Sequence, residues 1–162
     1  MTAERGNGET QNAQERPPLV ITHQYVKDLS FENPSAPGLY VDPPQQGPDV
    51  NIQVNVSAHR LSERLFEVVL HVEARASAGD ATLFLAELDY AGLAETGTVP
   101  DEHLQPLILI EVPRLLFPYA RAIISDVTRD GGFPPLMIAN VDFVDMYRRG
   151  AQQTETPAQQ PA

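Results

Sequence analysis

Cysteine and tryptophan are both missing from this chain of 162 residues, and lysine occurs once, at Lys27. Without cysteine there is no disulfide, no thiolate metal ligand and no cysteine nucleophile. No run of about 18 or more apolar residues is present, so no membrane-spanning helix is expected. The first 18 residues, MTAERGNGETQNAQERPP, lack the apolar stretch of a secretory signal, which points to a soluble, cytosolic protein. Positive charge is also scarce: 22 acids face 11 bases, for a net charge of -11. Nucleic-acid binding needs clustered basic side chains that displace counterions from phosphate, and here the arginines are scattered. An acidic surface instead attracts basic segments of other proteins, or simply keeps the chain soluble. No GxGxxG, GxxxxGK[ST], GxSxG or HExxH occurs, so the usual nucleotide, acyl-transfer and zinc-protease signatures are absent.

What is present has the length and the 42% apolar content of one folded domain. Residues 1–18 and 150–162 are rich in Gln, Pro, Ala, Thr and Glu and bury too little to offset ordering entropy, so both read as disordered tails flanking a domain of residues 19–149. Residues 19–31 read as a first strand, ended by the loop ENPSAPG. Prolines make VDPPQQGPD, 41–49, a linker. Residues 50–59 and 66–77 alternate apolar and polar side chains with period two, and 81–90 is apolar on both faces, giving three further strands. Their short connections make an antiparallel meander the economical topology.

The period changes after Asp101. Leu116, Tyr119, Ala120, Ile123, Ile124 and Val127 repeat at helical spacing, and Gly131-Gly132 supply a stop. Pro106, Pro113 and Pro118 each remove a backbone donor, so this helix should be kinked or split, with a proline best placed in a first turn. The segment is also apolar on nearly every side, from Leu107 to Phe117, and one small sheet cannot cover it. A second subunit is the expected cover, with a lipid or ligand as the other candidate. Residues 133–140, FPPLMIAN, read as an apolar, proline-stiffened loop before a short helix ending at Arg148-Arg149. The fold class is α+β.

Candidate chemistry is sparse. The four histidines sit at no metal-ligand spacing, and His71 with Glu73 on one strand face reads better as a cross-strand hydrogen bond than as a metal pair. No catalytic pair, metal or cofactor is expected. The apolar surplus at Tyr40, Phe133, Leu136, Met137, Ile138, Phe143, Met146 and Tyr147 reads as core or as an adaptable binding surface.

YVKDLSFENPSAP (25–37), FEVVLHV (66–72), LFLAEL (83–88) and LLFPYARAIISDVTRDGGFPPLMIANVDF (115–143) together resemble the SecB family of bacterial protein-export chaperones, over about residues 20–148. The resemblance implies a four-stranded antiparallel sheet with a long and a short helix, assembled as a homotetramer, a dimer of dimers. It implies an ATP-independent holdase that binds unfolded preproteins in the cytosol and passes them to the motor SecA. By this resemblance SecA contacts fall on Asp28, Glu32, Leu85 and Glu87, and an apolar client groove on Ile52, Val54, Phe143, Met146 and Tyr147, to which the loop residues Phe133 and Leu136 are added. Leu116, Tyr119, Ile123 and Ile124 on the long helix are the expected oligomer interface. Some members carry a tryptophan where this chain has Gln46. A cup for a small molecule or lipid is the alternative reading, and nucleic acid and direct membrane insertion are not expected.

Overall fold

Residues 17–154 are described by the computed structural model, so most of the two expected tails lies outside the described residues. Four strands, β1 (Leu19–Glu32), β2 (Asp49–Arg60), β3 (Leu65–Ala78) and β4 (Ala81–Thr96), form one antiparallel sheet in the order β1-β4-β3-β2. The meander therefore holds for β2, β3 and β4 only. β1 and β2 lie at opposite edges, because residues 33–48, with one helical turn α1 (Gly38–Val41), are long enough to cross from one edge to the other. β3 and β4 bury half or more of their residues and take the centre. β4 also runs past the expected end at Tyr90, since Gly92 and Ala94, on the face toward the helix, are small enough to lie beneath it there.

Residues 101–130 are helical throughout but not uniform. α2 (Asp101–Pro106) passes into a π-helical turn, Leu107–Glu111, and then into α3 (Val112–Asp130). The expected break is thus a widened turn between Pro106 and Pro113, and Pro113 sits in the first turn of α3. The Val112 N–H donates to the Leu107 carbonyl, five residues back, where the ring of Pro113 has no N–H to give. Ile108, Val112, Leu116, Ala120, Ile124 and Thr128 are all buried at intervals of four. Such a stripe drifts by about 40° per step around an ideal α-helix, and the wide turn, together with the curvature of the helix over a twisted sheet, keeps it facing inward.

One face of the sheet and this stripe make the core. Val68, Leu70, Val72 and Ala74 of β3 and Ala86, Leu88, Tyr90 and Ala94 of β4 pack against it. Leu116 approaches so closely over Gly92 that a Cβ there would meet its side chain at 2.9 Å. Among the described residues, no helix covers the other face of the sheet.

Thr128 anchors the loop after α3. Its hydroxyl donates to the Ile124 carbonyl at 2.9 Å and accepts from the Leu136 N–H at 2.9 Å, tying the proline loop to the helix. Gly132, at φ 92, turns the chain out of α3, as glycine can. Beside it the Tyr40 hydroxyl lies within 3.1 Å of the Gly132 carbonyl. α4 (Phe143–Thr154) starts where the Asp145 N–H donates to the Asp142 carboxylate at 3.0 Å. It continues to Thr154, past the end expected at Arg148-Arg149.

Candidate functional site

The two faces of the sheet differ in kind. On the helix side, a trough runs between β2 and the helical layer. It consists of two adjoining hollows of about 390 and 460 Å³ that share Val56, Gln105 and Leu109. Met146 and Tyr147 of α4 wall the first, and Ala58, Leu104 and Ile108 line the second. β2 turns Val54, Val56 and Ala58 toward this side and Asn55, Ser57 and His59 away from it, as its partners on β3 require. Because Ala58 is exposed and no strand among the described residues pairs with the outer edge of β2, the trough opens to solvent.

The expected groove residues are only partly brought together. Met146 and Tyr147 line the trough, Val54 packs against the core behind it, and Ile52 lies exposed farther along the same face of β2. Phe143 is a correction: it is 3% exposed and packs edge-on to Phe117 with centroids 5.8 Å apart, because it is the apolar anchor that holds the start of α4 on the core. Phe133 and Leu136 are also not in the trough. Phe133 joins Phe31, Phe84 and Tyr40 in an aromatic cluster, 4.9 Å from Phe84, past the C-terminus of α3. Ala58, Leu104, Ile108 and Leu109 line the trough without being expected there, although the all-round apolar character of the helix near 107–110 is a signal for the last two.

The interface residues divide as well. Leu116 and Ile124 are fully buried against this chain's own sheet and are core, which corrects their assignment: they lie on the inward stripe of α3. Tyr119 is 54% exposed, and Ile123 is half-buried beside it. Tyr119 stacks on Tyr90, whose neighbour on β1 is Val26, itself 46% exposed. Leu29 and Leu115 extend this exposed apolar area, and the helical spacing that draws attention to Tyr119 does not reveal them.

The outer face is polar and acidic. Glu32 is directly opposite Leu85, Ser30 opposite Glu87 and Asp28 opposite Asp89, so the four residues expected to contact SecA share this face on the adjacent strands β1 and β4. Glu87 also faces Glu73 of β3, a like-charge pair. His71 hydrogen-bonds Asp89 across the strands at 2.5 Å, the cross-strand pairing expected for it. Farther along, Glu67 accepts from Lys27 at 2.6 Å and from the Tyr25 hydroxyl, both reaching over β4 from β1. The bond from Lys27, and then that from Tyr25, holds the Glu67 carboxyl below its ordinary range. The same bond to Glu67, with burial and the carboxylate's charge, pushes the Tyr25 hydroxyl up to about 12. Among the described residues no group of His, Asp and Glu is placed to hold a metal, and no helix is long and apolar enough to cross a membrane.

A solved SecB-like chaperone of Mycobacterium tuberculosis, in complex with a ChAD peptide from the HigA1 antitoxin, superimposes with a TM-score of 0.64 over 76% of this chain and 91% of that one, at 18% identity. The fold is therefore that of a SecB-like chaperone. The family described as preprotein translocase subunit SecB matches residues 12–154. The protein-export protein SecB of Rhodopseudomonas palustris strain BisB5 is 53% identical over 155 residues, 96% of each chain. That of strain HaA2 is 51% identical over 154 residues, 95% of this chain and 97% of the relative. That of Parvibaculum lavamentivorans is 49% identical over 155 residues, 96% of this chain and 91% of the relative. This chain belongs to the SecB family, whose members are protein-export chaperones and not enzymes.

Proposed function

We propose that this chain is an ATP-independent holdase that keeps preproteins unfolded in the cytosol and delivers them to SecA, acting as a homotetramer built as a dimer of dimers. The observation that carries the reading is the solvent-open apolar trough between β2 and the helical layer. A hollow lined by Leu, Ile, Met and Val side chains recovers free energy from any apolar segment that enters it, at about 25 cal/mol per Å² of apolar surface buried. One trough holds an unfolded chain weakly. Several on one assembly, engaged by the same polypeptide, hold it tightly without reading its sequence. A folded protein has its apolar segments inside and offers nothing to bind.

The exposed area around Tyr119, Ile123, Leu115, Val26 and Leu29 is the contact between copies in this reading. The outer face receives SecA, with Leu85 as an apolar anchor among Asp28, Glu32 and Glu87, the carboxylates that take a basic segment. A small-molecule cup would enclose its ligand, whereas this trough is open along an exposed strand.

Titrating the chain into a fluorescently labelled protein held unfolded by mutation tests the reading. Saturable binding of the unfolded probe, and none of its folded parent, is expected. Equal binding of both, or of neither, contradicts it.

A further inference from the structure

The trough is not uniform, and its division comes from an irregularity in the helix. The shared lining of the two hollows includes Leu109, the middle residue of the π-helical turn Leu107–Glu111. A π-turn is wider than an α-turn by one residue, and such turns are costly enough that they persist mostly where they serve a site. Here the extra residue lets Ile108 remain in the core while Leu109, its neighbour, projects into the trough opposite Val56.

The opposite wall constrains what can lie there. β2 pairs with β3 through twelve consecutive residues without a bulge, and among the described residues no strand pairs with its other edge. It contains no proline or lysine. β1, the other edge strand, has register breaks near Thr22 and Lys27 and carries the chain's lysine. Bulges and lysine are the usual devices that protect an edge from pairing. β1 has both and β2 neither, so the backbone groups along β2 remain available to an extended chain.

We propose that Leu109, held out by the π-helical turn, is the specificity-determining residue of the trough: it splits the trough into two chambers that accept apolar side chains two residues apart on an extended segment laid along the free edge of β2. Side chains at i and i+2 of a strand point the same way and stand about 7 Å apart. On β2 the first chamber is bordered by Asn55 and Val56 and the second by Val56, Ser57, Ala58 and Arg60, an offset of about two residues. A segment with its apolar residues in a contiguous block sends every second one back to solvent and buries less of its apolar surface than its alternating isomer. The inference rests on the holdase reading and adds to it a spacing preference among unfolded segments.

The test uses two labelled peptides of identical composition, ten residues each, one with alternating leucines and one with the same leucines in a block, measured by anisotropy against the full chain and its variants. The alternating peptide is expected to bind about tenfold more tightly. Leu109→Ala should merge the chambers and reduce that ratio to below about threefold. Because Leu109 is partly buried, Ala58→Trp provides a second variant that fills one chamber from the exposed strand and leaves the helix intact; it too should abolish the preference. N-methylation of alternate backbone nitrogens in the alternating peptide should weaken its binding, since the strand-edge hydrogen bonds are lost. Equal affinities for the two peptides in the unmodified chain, or an undiminished ratio in both variants, overturn the inference. An unfolded protein probe in the same assay separates the two levels: if it binds while the peptides are not distinguished, only the spacing claim falls, and if it does not bind, the holdase reading falls with it.

Discussion

Tyr119 of α3 stacks on Tyr90 of β4 with ring centroids 6.3 Å apart and planes inclined by 21°, yet Tyr90 is buried and Tyr119 is 54% exposed. Burial of Tyr90, with Tyr119 beside it, raises the pKa of its hydroxyl. A ring that covers a buried partner and remains half in solvent, beside exposed Val26 on the neighbouring strand, marks an unfinished apolar surface. In the proposed assembly a second copy of the chain completes it.

Tyr119→Arg places a charge on that surface without touching the inward stripe of α3. The mass in solution should fall from that of four chains of 17.8 kDa, about 71 kDa, to half or less, with the far-ultraviolet circular dichroism unchanged. Light scattering coupled to gel filtration measures it. An unchanged mass refutes the assignment of this surface.

Glu87→Lys reverses a charge on the outer face beside Leu85. SecA affinity should drop by about tenfold or more, and the effect should shrink at high salt, as for a charge pair at a rim. The oligomeric mass and client binding should not change, because the trough and the area around Tyr119 lie on the helix side of the sheet. Surface plasmon resonance on immobilised SecA decides it.

Tyr25 and Glu67 set a pH signature on the same face. The Glu67 carboxyl is held below its ordinary range, so its contribution to stability is full above that range and is lost as acid protonates it through its folded-state pKa. Tyr25 is raised from 10.0 to about 12, so its contribution is full below pH 10 and is lost between 10 and about 12. Tyr25 should therefore ionise near pH 12 in an absorbance titration. Tyr25→Phe should remove that step, and Glu67→Gln should move it back toward the ordinary value. A titration in which Glu67→Gln leaves the step in place excludes the bond to Glu67 as its cause.

Thr128→Val removes the hydroxyl that receives the Leu136 N–H and returns a bond to Ile124, while keeping nearly the same shape. Leaving that N–H without a partner should cost about 1 to 3 kcal/mol of stability. Hydrogen exchange of the Leu136 amide should accelerate at the same time. Denaturant unfolding and exchange rates check the two effects together, and normal protection of Leu136 contradicts the tie.

Much of the architecture is legible in the sequence. The alternation of Val50, Ile52, Val54 and Val56 places β2 and its inward face, and Gly131-Gly132 mark the end of α3. The family resemblance adds the fold, and the four outer-face residues it indicates do share one face. Strand order is not legible, because nothing in residues 33–48 states which edge they lead to. Nor is the inward stripe of α3. The pattern of three and four residues puts Tyr119, Ile123 and Ile124 on a common footing, whereas burial proceeds in steps of four from Ile108 to Thr128, a spacing that the wide turn and the curvature of the helix over the sheet together keep facing inward. Helical spacing alone therefore assigns Leu116 and Ile124 to an interface and passes over Leu109 as part of the trough. Phe143 escapes for a related reason: the same apolar ring serves equally well as an anchor or as a groove wall, and only contact with Phe117 distinguishes them.

The central claim is that open apolar troughs on an assembly of these chains hold unfolded polypeptide away from its native state. Refolding of an unrelated, slow-folding protein, diluted from denaturant with and without this chain at one tetramer per molecule, tests it most directly. The account predicts that recovery of native signal is strongly slowed, and released when an excess of a competing unfolded chain is added. Refolding at the same rate in both samples would contradict it.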